Sequence, residues 1–237
     1  MSLVFSNKKE LKEISELVQG YFKLPISEDT IQGDFFEKII AEARNAKRLN
    51  TYEFIDVIDE KNKVAWQVKS TKEKTPLTWK RVKLKDSKKL IEESFQSFEK
   101  TQELGELIIN FCNLNAKESI DKYNLKEIGF SRIISNLDGT LSYYEKILCT
   151  KENPIIFNKD NYIWKWSEQK TNGKKEMLKS LQGFDKITGL KMFSWHGQGE
   201  NQLHFVGDKY WLKENIDKVM TIKKPNDKRS MDFLKNL

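Results

Sequence analysis

The sequence has little cysteine, histidine and proline, and these shortages exclude several classes of protein. Cys112 and Cys149 are the only cysteines, no Cys-x-x-Cys motif occurs, and only His196 and His204 could join them. Neither a zinc site nor a disulfide framework is therefore expected, and a reducing compartment, the cytoplasm, is the default. With 4 Pro, 38% hydrophobic and 11% aromatic residues among 237, the chain does not have the composition of a disordered protein.

Long hydrophobic runs and nucleotide-binding motifs are missing as well. No stretch of about 18 uncharged apolar residues occurs, so no membrane span is predicted. The N-terminus reaches Lys8 and Lys9 after too few apolar residues for a signal peptide. Neither GxxxxGK[ST] nor GxGxxG is present, so no organic cofactor is expected. The two histidines do not match the pattern of the HNH nucleases.

What the chain does have is an excess of positive charge. It contains 42 Lys and Arg against 35 Asp and Glu, which gives a formal charge of +7 and a pI near 9.1. This balance favours an anionic partner such as nucleic acid, although many basic proteins bind none.

Hydrophobic periodicity predicts an α/β fold with a mixed central sheet flanked by helices. The predicted helices cover Lys8–Tyr21 with Asn7 as N-cap, Gly33–Lys47, Asp86–Gly105 and Ala116–Glu127. The predicted strands cover Thr51–Asp59, Val64–Thr71, Glu106–Cys112, a hairpin over Phe130–Cys149 turning at Asp138-Gly139, Ile155–Trp166, and a hairpin of Leu190–Trp195 with Leu203–Val206. Residues 1–115 are expected to form a core, and residues 116–237 an additional mixed α/β region.

The most informative residues lie on the two predicted strands that follow the second helix. Gln67 and Lys69 are two apart and so share one face of their strand. Asp56 lies between apolar neighbours on the preceding strand, where burying an unpartnered carboxylate would be costly. A magnesium ion, which prefers oxygen ligands, would remove that cost. Alternatively, Asp56 and Lys69 form a cross-strand ion pair and Gln67 is a solvated polar position.

These residues resemble the metal site of the PD-(D/E)xK nuclease superfamily, which includes restriction endonucleases and archaeal Holliday-junction resolvases. The resemblance implies a restriction-endonuclease-like core over residues 28–115. It also implies roles: Asp56 as first metal ligand, Gln67 as second, Val68 as carbonyl donor, Lys69 as the group that positions the attacking water, and Glu37 as the helix carboxylate. For Glu37, an exposed carboxylate is the alternative.

Two departures from the family pattern stand out. Gln67 replaces the usual acidic residue, so this ligand brings no negative charge, which weakens metal binding unless Glu37 compensates. The family core also has a strand between the helix and the metal-binding Asp, and only Arg48–Tyr52 could supply it here. Glu42 is a weaker candidate than Glu37, because it falls five residues later and off the same helix face.

Two further segments are candidate DNA contacts. Basic and hydroxyl side chains follow the core, where they would contact phosphates: Lys72, Lys74, Thr78, Lys80 and Arg81. Amide and imidazole side chains collect at a glycine-rich hairpin tip, where amides could read adenine in the major groove: Gln198, Asn201, Gln202 and His204. The alternatives are a solvated loop and an ordinary turn. Trp164 and Trp166 are expected in the core.

Together these features predict a Mg²⁺-dependent endonuclease, with Mn²⁺ as a substitute, that hydrolyses double-stranded DNA as a type II restriction enzyme. A symmetric duplex site would need two active sites, which predicts a homodimer. A junction resolvase and a non-catalytic DNA-binding protein remain the alternatives.

Overall fold

A computed structural model gives the fold of residues 2–49, 53–169, 171–172 and 175–227. Over these ranges the chain is mixed α/β, with a mixed six-stranded sheet flanked by helices, as the sequence predicts. No helix within them is both long and apolar enough to cross a membrane.

The elements are numbered in chain order. The helices are α1 (Lys8–Lys23), α2 (Gly33–Ala43), α3 (Ser87–Ser94), α4 (Phe98–Tyr123), α5 (Asp208–Trp211) and α6 (Glu214–Asp217), with a 3-10 helix at Lys159–Asn161. The strands are β1 (Lys47–Arg48), β2 (Val57–Asp59), β3 (Val64–Lys72), β4 (Leu77–Arg81), β5 (Glu127–Ser135), β6 (Thr140–Thr150), β7 (Tyr162–Trp166), β8 (Thr171–Asn172), β9 (Lys175–Glu176), β10 (Leu181–Asp185), β11 (Lys191–Trp195), β12 (Gln202–Phe205) and β13 (Lys218–Lys223).

The chain divides into two compact units, each built from separated segments. Unit 1 comprises Met1–Thr75, Glu118–Asn153 and Leu212–Leu237, and unit 2 comprises Pro76–Lys117 and Pro154–Trp211. The units do not follow the expected division into residues 1–115 and 116–237, whose boundary falls inside α4. The chain leaves unit 1 after β3 and returns to it along α4, so one sheet is completed by segments far apart in sequence.

Unit 1 contains the six-stranded sheet, in the order β1-β2-β3-β5-β6-β13. Neighbouring strands are antiparallel except β3 and β5, which are parallel and are joined by the long excursion that includes α4. Helices α1 and α2 pack on one face, in a core with Trp66, Val68 and Tyr143. The start of α1 is fixed by a capping box, in which the Asn7 side chain and that of Glu10 satisfy each other's backbone N–H groups.

Unit 2 contains an antiparallel five-stranded sheet in the order β4-β12-β11-β10-β7. Its core is aromatic: the Phe157 ring lies 5.0 Å from Trp79 and 5.0 Å from Phe193, and the Phe193 ring lies 5.1 Å from Phe205. Trp164 is buried among them, as the sequence predicts, whereas the half-exposed Trp166 stacks on Phe95. Edge-to-face and stacked contacts between aromatic rings of this kind stabilise the unit mainly by burying apolar area.

The predicted strand at Glu106–Cys112 is wrong, because these residues belong to α4. Gly105, expected to end a helix, lies inside α4 too. A Cβ at Gly105 would come within 2.1 Å of the Trp164 ring, so the glycine allows the helix and that indole to pack closely. The helix predicted to run from Asp86 to Gly105 is instead two helices, α3 and α4.

Two other boundaries differ in the region that carries the candidate metal ligands. The predicted helix Gly33–Lys47 ends at Ala43, because Asn45 adopts a positive φ of 48° and β1 follows. Of the predicted strand Thr51–Asp59, only Val57–Asp59 is a strand, and residues 51 and 52 lie outside the described residues.

Both predicted hairpins are confirmed. Strands β5 and β6 pair antiparallel around Asp138-Gly139, where Gly139 has a φ of 82° and the Asp138 carboxylate accepts the Thr140 N–H at 2.9 Å. Strands β11 and β12 pair antiparallel around residues 196–201.

Candidate metal centre

Strand β3 places Gln67 and Lys69 on one face of the unit 1 sheet. It lies between β2 and β5, and its first five residues, Val64–Val68, are all buried. Because both edges of β3 are paired, the strand is a fixed support. Gln67 is therefore inside the protein, with 2% of its surface exposed, while Lys69 is further along the strand and half-buried.

Asp56 lies directly beside Gln67. Its backbone N–H donates to the Trp66 carbonyl at 2.9 Å, and its Oδ2 accepts the Val68 N–H at 2.7 Å. The aspartate thus bonds to the residues on either side of Gln67. The Lys69 Nζ lies 3.6 Å from the same Oδ2, and the side chains of Lys69 and Asp56 are 22% and 17% exposed. Solvent reaches both groups, so the pair is accessible to a ligand.

The Gln67 side chain carries an oxygen without a partner. Its Oε1 is buried and accepts no hydrogen bond. Leaving a buried acceptor unsatisfied costs about 1–3 kcal/mol, so such atoms are rare in folded proteins. An amide oxygen is also a ligand that Mg²⁺ accepts. The donor set around Asp56 therefore suits a hard divalent cation.

Glu37 on α2 contributes a second carboxylate, held by Arg48 of β1. The Arg48 Nε donates to Glu37 Oε2 at 2.7 Å. Burial raises the pKa of Glu37, the Arg48 hydrogen bond opposes that rise, and the negative charge of Asp56 adds to it. The charge of Lys69 also acts on the Glu37 pKa. Glu37 therefore interacts electrostatically with both the Asp and the Lys of the site.

The number of carboxylates is small. Among the residues that the structure describes, no group of three or more His, Cys, Asp or Glu side chains could hold a metal ion. Asp56 and Glu37 are the two acidic members here, so an ion at this place would need the Gln67 amide oxygen. Val68 donates its N–H to Asp56, whereas the family resemblance implies a metal contact for its carbonyl.

The geometry also bears on the alternatives. The Asp56–Lys69 ion pair exists, but Gln67 is not the solvated residue that the purely structural alternative requires. Glu37 is paired with Arg48, and Glu42 is exposed. A strand does precede Asp56: β1, of two residues, pairs antiparallel with β2 through Lys47↔Ile58 and Arg48↔Val57.

Sequence reasoning missed Arg48 as a member of the site. Its place between α2 and Asp56 was noted only as a candidate strand. A basic residue in that position pairs with Glu37 only because β1 turns back beside the helix, which no local pattern shows. Arg48 could have been found from one general rule, that a carboxylate shielded from solvent on a helix needs a cation beside it.

The two predicted DNA-contact segments are partly brought together. In unit 2, β4 pairs with β12, so that Arg81 lies opposite Gln202, Lys80 opposite Leu203 and Thr78 opposite His204. The Thr78 Oγ1 lies 3.4 Å from His204 Nδ1. The Asn201 carbonyl accepts the Val82 N–H at 2.8 Å, which joins the hairpin tip to the end of β4.

Three residues of the predicted set stand apart from that pairing. Lys72 and Lys74 are exposed and belong to unit 1, at and beyond the end of β3. Gln198 is exposed at the hairpin tip of unit 2, where it lines a cavity with Gln202 and His204.

No family model, curated protein or solved structure matches the chain.

Proposed function

We propose that this protein is a Mg²⁺-dependent endonuclease, with Mn²⁺ as a substitute, that cleaves double-stranded DNA at a specific sequence, as type II restriction enzymes do. The observation that carries the proposal is the unpartnered, buried Oε1 of Gln67 beside Asp56 and Lys69. A homodimer in the cytoplasm completes the proposal. The buried, unpaired Cys112 and Cys149 are in keeping with a reducing compartment.

Each side chain has a role in this proposal. Asp56, Gln67 and Glu37 would hold the ion through oxygen atoms, with the Val68 carbonyl as a further donor. A bound Mg²⁺ supplies the Lewis acidity that polarises the scissile phosphate and lowers the pKa of a coordinated water. The Lys69 ammonium orients the attacking water and stabilises negative charge on the phosphate. The water oxygen bonds to phosphorus, one P–O ester bond breaks, and the leaving oxygen takes a proton.

The paired strands β4 and β12 support a DNA-binding role for unit 2. They place Arg81 opposite Gln202 and Thr78 opposite His204, while Lys80 lies opposite the buried Leu203. Positive and hydroxyl groups suit phosphates, and amides suit base edges. Lys72 and Lys74 would add phosphate contacts from unit 1.

The test is plasmid digestion with Mg²⁺ and, separately, with EDTA. Discrete fragments that appear only with Mg²⁺ are expected. Cutting confined to four-way junctions would indicate a resolvase instead. An intact plasmid whose mobility shifts on a gel would indicate a non-catalytic DNA-binding protein.

A further inference from the structure

A half-open cleft of about 260 Å³ lies at the tip of the second hairpin in unit 2, and we call it the hairpin cavity. It is lined by Leu178, Lys179, His196, Gln198, Gln202 and His204, together with Gly199 and Glu200. Its volume lies just below the range of about 300–1,000 Å³ that is typical for drug-sized ligands. A single ring system is therefore the size of ligand that suits it.

The frame of the hairpin cavity is held by backbone hydrogen bonds. The His196 N–H donates to the Gln202 carbonyl at 3.0 Å, and the His196 carbonyl accepts the N–H groups of Gly199 at 3.2 Å and of Asn201 at 3.0 Å. Gly197 packs against Trp195, since a Cβ there would come within 2.3 Å of the indole ring. These hydrogen bonds and the contact with Trp195 fix the backbone at the hairpin tip.

The two imidazoles form one wall of the cavity. Their ring centroids are 5.1 Å apart and their planes are nearly perpendicular. Partial burial lowers the pKa of both His196 and His204, the positive charge of Lys191 lowers that of His196 further, and the negative charge of Glu200 opposes the fall in both. An uncharged imidazole has one donor and one acceptor, and the Nδ1 of His204 already faces Thr78 Oγ1 at 3.4 Å.

The chemistry of the lining selects among ligand classes. Lys179 and Glu200 carry opposite charges, so the lining has no net charge to attract a free phosphate. The imidazoles and the amides of Gln198 and Gln202 present donors and acceptors side by side. The edge of a nucleobase presents the same alternation, and Leu178 offers an apolar contact for its face.

We propose that the hairpin cavity receives one unpaired nucleobase of the DNA substrate, an inference that rests on the proposed function. Arg81, opposite Gln202 on the neighbouring strand, is then placed for the phosphate backbone beside that base. Extruding a base from a duplex costs a few kcal/mol, and this cost is smaller where the base is already unpaired. The cavity should therefore prefer a duplex with a bulged base to a fully paired one.

His196 and His204 are the only histidines in the chain, so their imidazole NMR signals report on the hairpin cavity alone. The full-length protein is titrated in EDTA with adenosine, cytidine, inorganic phosphate, a paired duplex and the same duplex with a one-nucleotide bulge. Both signals are expected to shift with a nucleoside and with the bulged duplex, and not with phosphate. Equal shifts with phosphate, or none with any nucleoside or the bulged duplex, would overturn the proposal.

Variants provide the second measurement. Gln202→Ala should weaken binding of the bulged duplex about tenfold, as expected for the loss of one paired hydrogen-bond contact. Gln182→Ala is the matched control, because Gln182 is a half-buried amide on β10 that does not line the cavity. Equal weakening by both substitutions would contradict a base site.

The two proposals can fail separately. If the protein does not cut DNA but both histidine signals respond to the nucleoside and the bulged duplex, the endonuclease proposal falls and the base site stands. If the protein cuts DNA and the signals do not respond, only the base site falls.

Discussion

Gln67, on strand β3 of unit 1, and Gln102, on helix α4 in unit 2, are two amides whose surroundings differ. Gln102 donates from Nε2 to the Trp164 carbonyl at 2.7 Å and accepts the Trp164 N–H at its Oε1 at 2.9 Å. Gln67 is buried with its Oε1 unbonded. Both ends of the Gln102 amide form hydrogen bonds that join α4 to β7, whereas the Gln67 oxygen is free to accept a bond from a ligand.

The contrast does not extend to every buried amide, since Asn201 Oδ1 of unit 2 is also buried without a hydrogen-bond partner. Unit 2 gains its stability from stacked and edge-to-face aromatic rings, and its unpaired buried donors at Trp164 and Trp195 belong to rings that bury apolar area. In unit 1, burial and the negative charge of Asp56 raise the pKa of Glu37, and the hydrogen bond from Arg48 opposes that rise. Sites that bind a cation tolerate such local costs because the ligand removes them.

The largest expected effect separates the stabilities of the units. Phe193→Ala should lower the free energy of unfolding by about 3–5 kcal/mol, because Phe193 is fully buried among aromatic rings of unit 2. Mg²⁺ affinity of the folded protein, measured by calorimetry, should stay the same. The matched substitution in unit 1 is Phe36→Ala, on the helix that carries Glu37, which should reduce both quantities. If Phe193→Ala lowered the Mg²⁺ affinity and Phe36→Ala did not, the assignment of the metal site to unit 1 would be contradicted.

The next effect concerns cleavage. Lys69→Ala should slow DNA cleavage about 10²–10³-fold, or about 2.7–4 kcal/mol, because the variant lacks the ammonium that stabilises developing charge. DNA affinity, measured by fluorescence anisotropy, should change only a few-fold. Lys61→Ala is the control, since Lys61 is exposed in the β2–β3 turn and completes the triplet Asp59-Glu60-Lys61, which has the family's acidic-x-Lys spacing. Full activity of the Lys69 variant would remove that residue from the mechanism.

A smaller effect compares the two amides directly. Gln67→Met removes the unbonded acceptor and should raise the free energy of unfolding by about 1 kcal/mol while lowering Mg²⁺ affinity. Gln102→Met removes two made hydrogen bonds and should lower the free energy of unfolding by about 1–3 kcal/mol without changing Mg²⁺ affinity. Chemical denaturation and calorimetry measure the two quantities. Destabilisation of both variants alike would mean that the Gln67 oxygen is satisfied in solution.

The smallest effect is a pH dependence. A carboxyl group must be ionised to bind Mg²⁺, and the pKa of Glu37 lies above its ordinary value of 4.5. As the pH is lowered, the Mg²⁺ affinity should therefore begin to fall at a higher pH than it would for a glutamate with the ordinary pKa. The same shift affects folding. Because the pKa of Glu37 is raised in the folded state, the free energy of unfolding should decrease as the pH rises from the ordinary pKa to the raised one. A Glu37→Gln variant should lose this dependence; an unchanged profile would exclude Glu37 as a ligand.

Much of the fold follows from local patterns, and the rest depends on distant contacts. The residues next to each feature were enough to predict the Asn7 cap, strand β3 and the Asp138-Gly139 turn, and the structure confirms all three. The run from Glu106 to Cys112 is apolar enough for a strand, whereas the structure places it inside α4, next to the close contact of Gly105 with Trp164. An apolar run of this length has no decisive period.

The candidate site divides in the same way. Alternation along β3 places Gln67 and Lys69 on one face, so the sequence could predict that pair. The position of Asp56 beside them depends on hydrogen bonds that reach across to β3, and the Glu37–Arg48 pair depends on β1 folding back beside α2. Pairing of β4 with β12 joins segments more than 100 residues apart, which no local period could show.

The most direct test is to crystallise the protein with Mn²⁺ and locate the ion by its anomalous scattering. We predict a peak that contacts Gln67 Oε1 and the Asp56 carboxylate, at the distance of about 2.0–2.1 Å that is typical of magnesium sites. A site that stays empty at saturating Mn²⁺, with Gln67 Oε1 still unbonded, would contradict the account.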